Sequence, residues 1–541
     1  MADSYPSIAH HYHQRTKYDP DTLAQTAKVP DWNHPPSVFK DYKVGTPYSL
    51  QSFLSGQSST PSSDPLSPIN PASDLGPEAL DYWKRLSRLL LCSYGLTAKM
   101  LASAMTPIYF RAVPSAGGLY PAEVYLISKG TAYLPPGLYH YQAQSHSLIH
   151  FWDSPVWNEL QQACFWHSAL DHTQLTLVTT AIFYRSAWRY QARAYRRICL
   201  DSGHLLGNIE LASAINSFRP HVIGGFADEL INKLLYLDSE KEGAIAVLPL
   251  ADLLTVEQNL PLYPTALPSI SAPEHQSDVT ATIKENFKSG ETIADEDLLN
   301  ALHCSTTIHS SQDVNWRTVM RHGRDTNVTV DSYNFPFCYK VSTTSANVDW
   351  GNDLLGLEQT ILKRRSTREY SGATLSFNEL KALLDFTYQP QHYVEQGLDK
   401  HPDYFDLSLL ETFIAVSGVK GLDEGCYYYA PDVQELRQIR FKNFRQELHF
   451  LCLGQELGRD AAAVVFHTAD LSNAVNRYGD RAYRYLHLDA GHLGQRLNLA
   501  AIRLGLGVSG IAGFFDDMVN EVLGIPVEEA VIYITTLGKP R

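Results

Sequence analysis

The segment WRYQARAYRRICLDSGHL (188–205) returns later in the chain as NRYGDRAYRYLHLDAGHL (476–493). The shift is 476 minus 188, or 288 positions. Across it Arg189, Tyr190, Arg193, Ala194, Tyr195, Arg196, Leu200, Asp201, Gly203, His204 and Leu205 become Arg477, Tyr478, Arg481, Ala482, Tyr483, Arg484, Leu488, Asp489, Gly491, His492 and Leu493. The same offset carries Pro114 onto Pro402 and Glu123 onto Glu411. It also carries Gly137-x-Tyr139-x-Tyr141 onto Gly425-x-Tyr427-x-Tyr429, and Ile223-x-Gly225-Phe226 onto Ile511-x-Gly513-Phe514. A constant offset over more than a hundred residues means that one fold is present twice. Two long copies make a duplicated domain rather than a solenoid.

Within each copy the pattern is α+β. The runs 122–127, 175–183 and 244–250 are predicted strands, as are 411–416, 462–469 and 530–538. The segments 189–216 and 478–504 are apolar at helical spacing and are predicted core helices. The expected architecture is helices around a mixed or antiparallel sheet, twice, joined as a pseudo-dimer inside one chain. The divisions read as an arm and Ser/Pro-rich loop over 1–77, a first domain over 78–260, a linker over 261–349 and a second domain over 350–541. Residues 52–77 are rich in Ser, Pro and Gly and read as a long loop that could cover a pocket.

Composition narrows the function classes. The chain has 541 residues, 44% hydrophobic and 19% charged, with net charge −14. There is ample apolar surface for large cores, so a mainly disordered chain is excluded. The acidic balance disfavours a protein whose main task is coating nucleic acid or an anionic membrane. There is no signal-peptide pattern and no apolar run of about 18 residues, so a cytoplasmic location without a membrane span is expected. The seven cysteines lack ligand spacing and read as reduced buried thiols. His10, His11 and His13 lie near a terminus expected to be flexible, with no carboxylate at helical spacing, and no metal is assigned.

Three strings could carry chemistry. Arg364, Arg365, Ser366 and Arg368 form RRSxR before a predicted helix, and guanidinium forks suit a phosphate dianion. Alone, the string reads first as a solvated basic turn. Pro114, Ser115, Ala116, Gly117 and Gly118 place two glycines where backbone could approach a flat ligand, or simply turn before a strand. Ile511, Ala512 and Gly513 could offer a backbone N–H, or form a plain loop. Lys539 adds charge after the last strand. Gly505-x-Gly507-x-x-Gly510 follows a predicted helix rather than a strand, so the dinucleotide-loop mechanism is absent. The Asp–His pairs 201/204 and 489/492 read as satisfied buried polar groups.

Together these strings resemble the nitroreductase-like flavoproteins, and within them the SagB-type, azoline-oxidising dehydrogenases. The strings are RRSTREY (364–370), PSAGGLYP (114–121), GLYHY (137–141), YGDRAYRY (478–485), GIAGF (510–514) and LGKP (537–540). The resemblance implies FMN as cofactor, hydride transfer at flavin N5, and NAD(P)H as a candidate electron donor. The substrate would be a small molecule or a modified peptide. It also implies a flavin held between two domains, with phosphate and N5 contacts from one and the PS-type loop from the other. Here the parts are divided. Copy 2 carries RRSxR and Lys539, whereas its counterpart of the PSAGG loop is Pro402-Asp403-Tyr404-Phe405-Asp406. Copy 1 carries PSAGG, but Leu250-Ala251 stands opposite Gly538-Lys539. One composite FMN site is therefore expected rather than two. The family's Lys-Tyr base would fall on Arg189-Tyr190 and Arg477-Tyr478, leaving Tyr190 and Tyr478 as the catalytic candidates. Arginine is a poor general base, which puts azole formation in doubt. A flavin-binding partner without turnover is the alternative. Homo-oligomerisation of the whole chain is left open.

Overall fold

The computed structural model describes residues 7–23, 29–55, 75–101, 107–256, 293–309 and 332–541. Most of the Ser/Pro-rich stretch 52–77 lies outside the described residues. The two halves are built on two seven-stranded sheets of matching order. In the first, Thr46–Ser49, Ser147–Trp152, Gly137–Gln142, Ala122–Ser128, Leu175–Ile182, Glu242–Asp252 and Phe218–Pro220 are neighbours in that order. In the second, the order is Lys340–Ser342, Glu435–Arg440, Gly425–Ala430, Glu411–Val416, Ala463–Asp470, Glu529–Gly538 and Gly507–Ile511. Every pairing in both sheets is antiparallel, which decides between the mixed and antiparallel readings. The likeness reaches single residues. A bulge between Leu138 and Tyr139 recurs between Cys426 and Tyr427, and one between Thr179 and Thr180 recurs between His467 and Thr468.

Both sheet faces are buried, so the central strands read as continuous apolar runs. The core helices are Ala194–Ile215 and Ala482–Arg503. They are buried almost throughout, because each packs against its own sheet and against the other helix. Their predicted starts lie a turn too early. Short helices Phe183–Tyr190 and Leu471–Tyr478 end first, where Gln191 (φ 50°) and Gly479 (φ 61°) turn the chain.

The two core helices cross at Gly203 and Gly491. A Cβ on Gly203 would stand 2.2 Å from the Leu488 carbonyl oxygen, and one on Gly491 would stand 2.4 Å from that of Leu200. Hydrogen there lets the helices touch backbone to backbone. The Arg-Ala-Tyr-Arg repeats tie the halves across this seam. Arg193 and Arg196 reach Asp516 (2.8 Å each), and Arg481 and Arg484 reach Asp228 (2.7 and 2.8 Å). All six side chains are buried, so each carboxylate must be met by its guanidiniums for the seam to close.

The segments before each sheet also take part. Helix Ile8–Arg15 packs at this seam, so His10, His11 and His13 lie in ordered structure rather than a flexible end. His13 bonds Tyr483 Oη (3.2 Å), whereas His10 meets Ser7 and Ser472. Among the described residues no group of three or more His, Cys, Asp or Glu is placed to hold a metal. Helix Leu298–Ser305 is the counterpart in the other half. Its His303 bonds Tyr195 Oη (3.2 Å), and Thr306 serves Arg484 as Thr16 serves Arg196. No helix among the described residues is long and apolar enough to cross a membrane.

Candidate functional site

Helix Leu355–Lys363 ends at Arg364, and the RRSTR segment then runs along the edge of the second sheet. Thr367 pins it: its N–H donates to the Val508 carbonyl, and its Oγ1 accepts from the Val508 N–H (both 2.9 Å). Arg364 is thereby aimed into the first half. Its Nε donates to the Ala112 carbonyl (2.8 Å), and Nη2 donates to those of Arg111 (3.2 Å) and Val113 (3.3 Å). These carbonyls immediately precede the Pro114–Gly118 loop, so the guanidinium and the loop share one place. The Arg364 side chain is buried, and its Nη1 has no acceptor among the described residues. Burial brings its pKa down to about 10.

Arg365 donates to Thr97 Oγ1 (3.1 Å) and lies over the Phe110 ring; burial lowers its pKa as well. Ser366 is partly buried beside it, and Arg368 is exposed. Lys539 makes a 2.5 Å ion pair with Glu379, which also belongs to the capping box of helix Phe377–Tyr388. The five residues thus divide: Arg364 and Arg365 turn to the seam, Ser366 is partly buried next to them, Arg368 faces outward, and Lys539 already has a partner.

The loop opposite is fastened by a residue from the core helix. Ser115 Oγ donates to Asp201 (2.5 Å) and accepts from the Tyr120 N–H (2.8 Å). The Ala116 N–H donates to the same carboxylate (3.1 Å). Burial pushes Asp201 up to about 7, against these hydrogen bonds. Gly117 and Gly118 then take positive φ (66° and 68°). A Cβ on Gly117 would meet Tyr190 Oη at 2.8 Å, whereas one on Gly118 would face open space. Gly118 is therefore bare backbone, whereas Gly117 lies under Tyr190 Oη and the Arg189 side chain.

The third wall is Ile511–Gly513, at the end of an edge strand. The string Gly505–Gly510 leads from the core helix into this strand, so its glycines have another purpose. A Cβ on Gly510 would stand 1.8 Å from Tyr533 Oη, and that hydroxyl bonds His204 Nε2 (2.9 Å). His204 Nδ1 meets Gln495 (2.9 Å), so this histidine is satisfied as read. Arg197 reaches across the seam to donate to the Ala512 carbonyl (3.2 Å). Its guanidinium lies 4.0 Å from the Tyr190 ring centroid, and burial raises the Tyr190 pKa. The structure so gathers Arg364, Arg365, Ser115, Gly117, Tyr190, Ala512 and Gly513 around one seam between the halves.

Arg197 and Asp201 were not among the sequence candidates for this site. A signal existed for the first: within the repeated segment, Arg197 stands opposite Tyr485.

The pseudo-symmetric side is built differently. Tyr478 donates to Asp406 (2.5 Å), and Arg477 pairs with the same carboxylate (2.8 Å). Asp489 accepts from the Phe405 and Asp406 N–H groups (3.0 and 2.8 Å), as Asp201 does from Ala116. Arg219 donates to the His401 carbonyl (3.0 Å) and makes 2.8 Å ion pairs with Asp399 and Asp403. Tyr404 stacks on His492 and Phe405 on Tyr485, at centroid distances of 4.3 and 4.7 Å. Side chains occupy the ground that the glycine loop leaves bare on the other side.

Comparison with known proteins agrees with the duplication. The nitroreductase family profile matches twice, over 93–251 and 361–539. A crystal structure titled as a "putative nitroreductase" from Anabaena variabilis ATCC 29413 is 59% identical, with TM-score 0.85 over 99% of this chain and 100% of its own. "Putative nitroreductase MJ1384" of Methanocaldococcus jannaschii is 33% identical over 31% of this chain and 84% of its own length. The microcin B17-processing protein McbC of Escherichia coli is 27% identical over 25% of this chain, and the match spans 52% of McbC.

Proposed function

The chain belongs to the nitroreductase family of oxidoreductases, and from that premise we propose that it binds one FMN at the Arg364 side of the seam. There it would transfer hydride to or from a small molecule or a modified peptide. The observation that carries the reading is the buried Arg364 guanidinium, which among the described residues has no carboxylate in hydrogen-bonding reach and one nitrogen without an acceptor. A buried cation in that condition is costly unless an anion completes it. A phosphate dianion fits, because Arg365 adds a second fork and Ser366 a hydroxyl alongside.

Bound FMN supplies a two-electron carrier that exchanges hydride at N5. The protein's residues do the rest. Arg364 and Arg365 hold the phosphate, and Lys539 contributes only by exchanging Glu379 for it. The Gly117–Gly118 backbone lets a planar ring lie close. The Ala512–Gly513 backbone borders the ring edge, held by Arg197. Ser115 and Ala116 keep the loop in place through Asp201, directly after Pro114. NAD(P)H would serve as donor by visiting the substrate space.

On the Arg219 side the carboxylates of Asp399 and Asp403 already answer the arginine, so no second flavin is expected. Of the two tyrosine candidates, Tyr478 is bound to Asp406 on that side, leaving Tyr190 as the one beside the glycine loop. The similarity to McbC favours a peptide-derived substrate as the second reading, with a partner protein to deliver it. Flavin absorbance per chain tests the proposal. One equivalent of FMN is expected, and two equivalents or none would overturn it. Anaerobic bleaching of the bound flavin by NAD(P)H separates an oxidoreductase from a flavin-binding partner without turnover.

A further inference from the structure

The segment after helix Ile8–Arg15 brings a tyrosine to the third wall of the site, from outside both stretches that match the family profile. The Tyr18 N–H donates to Asp516 (2.9 Å), and the residue bridges Phe515 in parallel. Its ring sits 4.2 Å from the Arg193 guanidinium. Its Oη stands 3.5 Å from Arg197 Nη2, the nitrogen that also holds the Ala512 carbonyl. A Cβ placed on Gly513 would lie 3.9 Å from the Tyr18 ring. Tyr18 thus borders the Ala512–Gly513 backbone and remains partly open to solvent.

The two halves differ at this point. Ile308 N–H donates to Asp228 (2.9 Å) as Tyr18 N–H donates to Asp516. The position that holds a phenol on the Arg364 side therefore holds an aliphatic chain on the Arg219 side. Arg197 is likewise replaced by Tyr485, which bonds the Gly224 carbonyl as Arg197 bonds that of Ala512. Tyr18 and Arg197 thus stand together on the Arg364 side, whereas on the other side the phenol is Tyr485 itself, which accepts from Arg481 Nε (2.9 Å).

We propose that Tyr18 exchanges a proton with substrate at the Ala512–Gly513 edge, a role that rests on the FMN reading above. For a quinone the balance is simple. Hydride from the reduced flavin passes to one quinone oxygen, and the proton on Tyr18 Oη passes to the other. The products are hydroquinone, oxidised flavin and a tyrosinate that solvent reprotonates. In the oxidative direction the tyrosinate accepts the proton as hydride leaves the substrate.

The charges facing Tyr18 suit it to this. Arg193, Arg196 and Arg197 approach from the core helix and the turn before it, Asp516 from helix Asp516–Leu523, and Tyr190 from the helix before that turn. Burial would raise the phenol, but the three guanidiniums outweigh it and the net shift is downward. Tyr190 and Tyr533 move the other way, since burial dominates there.

The test compares wild type with Tyr18→Phe, which keeps the ring on Arg193. Dithionite-reduced FMN-loaded protein is mixed with menadione across the pH range, and reoxidation is followed in a single turnover. Wild type should slow as pH rises through the Tyr18 ionisation, because the donor must be protonated. Tyr18→Phe should be about 100-fold slower and lack that limb. In flavin-free protein, tyrosinate absorbance should show one early phenol ionisation in wild type that is missing from Tyr18→Phe. If Tyr18→Phe does not fold, Arg197→Gln serves instead, and both the limb and the early ionisation should move to higher pH. A Tyr18→Phe protein with FMN bound, the pH limb intact and a rate within twofold of wild type would overturn the proposal alone. A wild type that takes up no FMN would overturn the functional reading beneath it.

Discussion

Arg364 and Arg219 each lie buried at the seam and each grip backbone carbonyls just before or within the loop of the opposite half. Arg219 is answered by Asp399 and Asp403, and aromatic stacks fill the space beyond it. Among the described residues Arg364 is answered by carbonyl dipoles alone, beside a loop without side chains at Gly117 and Gly118. The same architecture thus yields one side that neutralises its own charge and one where, among the described residues, a buried guanidinium nitrogen has no acceptor. Duplication supplied two equivalent seams, and a few residues at each decide which stays open.

The largest expected effect comes from unbalancing the closed side. Arg219→Ala leaves two carboxylates facing one another in a buried setting and should cost about 3–5 kcal/mol of stability, read by denaturant unfolding. Bound FMN per chain should remain at wild-type level. Replacing Arg219, Asp399 and Asp403 together by apolar residues of similar volume should recover most of that loss. If Arg219→Ala instead emptied the protein of flavin, the assignment of the two sides would be reversed.

Next is the open side. Arg364→Ala removes a charged partner of the phosphate and should weaken FMN about 10- to 100-fold, at ~1.5–3 kcal/mol for a charged hydrogen bond. Equilibrium dialysis measures it. Because Arg364 has no carboxylate to abandon among the described residues, flavin-free stability should change less than for Arg219→Ala. Equal losses of stability in the two variants would erase the distinction.

Between the sides, Gly203→Ala forces a methyl group into the crossing of the core helices, where the nearest carbonyl oxygen is 2.2 Å away. It should destabilise both seams together by about 1–3 kcal/mol, visible as a lower Tm with flavin and without. A smaller effect is expected at Gly117, where positive φ and the Tyr190 hydroxyl oppose a Cβ. Gly117→Ala should weaken FMN several-fold, by ~1 kcal/mol, and leave the Arg219 side unaffected.

A last effect concerns pH. Asp201 and its counterpart Asp489 are both pushed up to about 7 by burial. A carboxyl whose folded pKa exceeds its unfolded value binds its proton more tightly in the folded state. Its contribution is full at pH below the unfolded value and declines as pH rises toward 7. Thermal midpoints measured from pH 4 to pH 8 should therefore fall less steeply in Asp201→Asn than in wild type. An unchanged slope would show that Asp201 does not carry a raised pKa.

Much of the fold was legible because strands buried on both faces are written as apolar runs, as in residues 122–127 and 411–416. The duplication was legible because the Arg-Ala-Tyr-Arg segment serves the same seam in each half and changed little. The repeat of the preceding arms was not. There the matching offset moves to 290, from His13 to His303 and from Thr16 to Thr306, and few residues agree. What persists is a pattern of bonds to the seam, which a string comparison does not show. Arg365, Ser115 and Gly117 could be picked out because their residue types suit a phosphate or a flat ring. Tyr18 could not, since a tyrosine in an arm carries no motif, and Arg197 showed only as a mismatch with Tyr485 inside the repeat. Lys539 was singled out for its charge, and its pairing with Glu379 depended on where helix Phe377–Tyr388 comes to rest.

The amino-acid order alone determined that one domain occurs twice, and that the arginine cluster and the glycine loop lie in different copies. It could do so because hydrophobic period and residue type are properties of neighbours along the chain. Only the folded molecule decided which arginine is paired and which is left waiting, since that depends on carboxylates brought from 180 or more residues away. Charge compensation is a matter of distance in space, and the close crossing at Gly203 and Gly491 sets those distances for both sides at once.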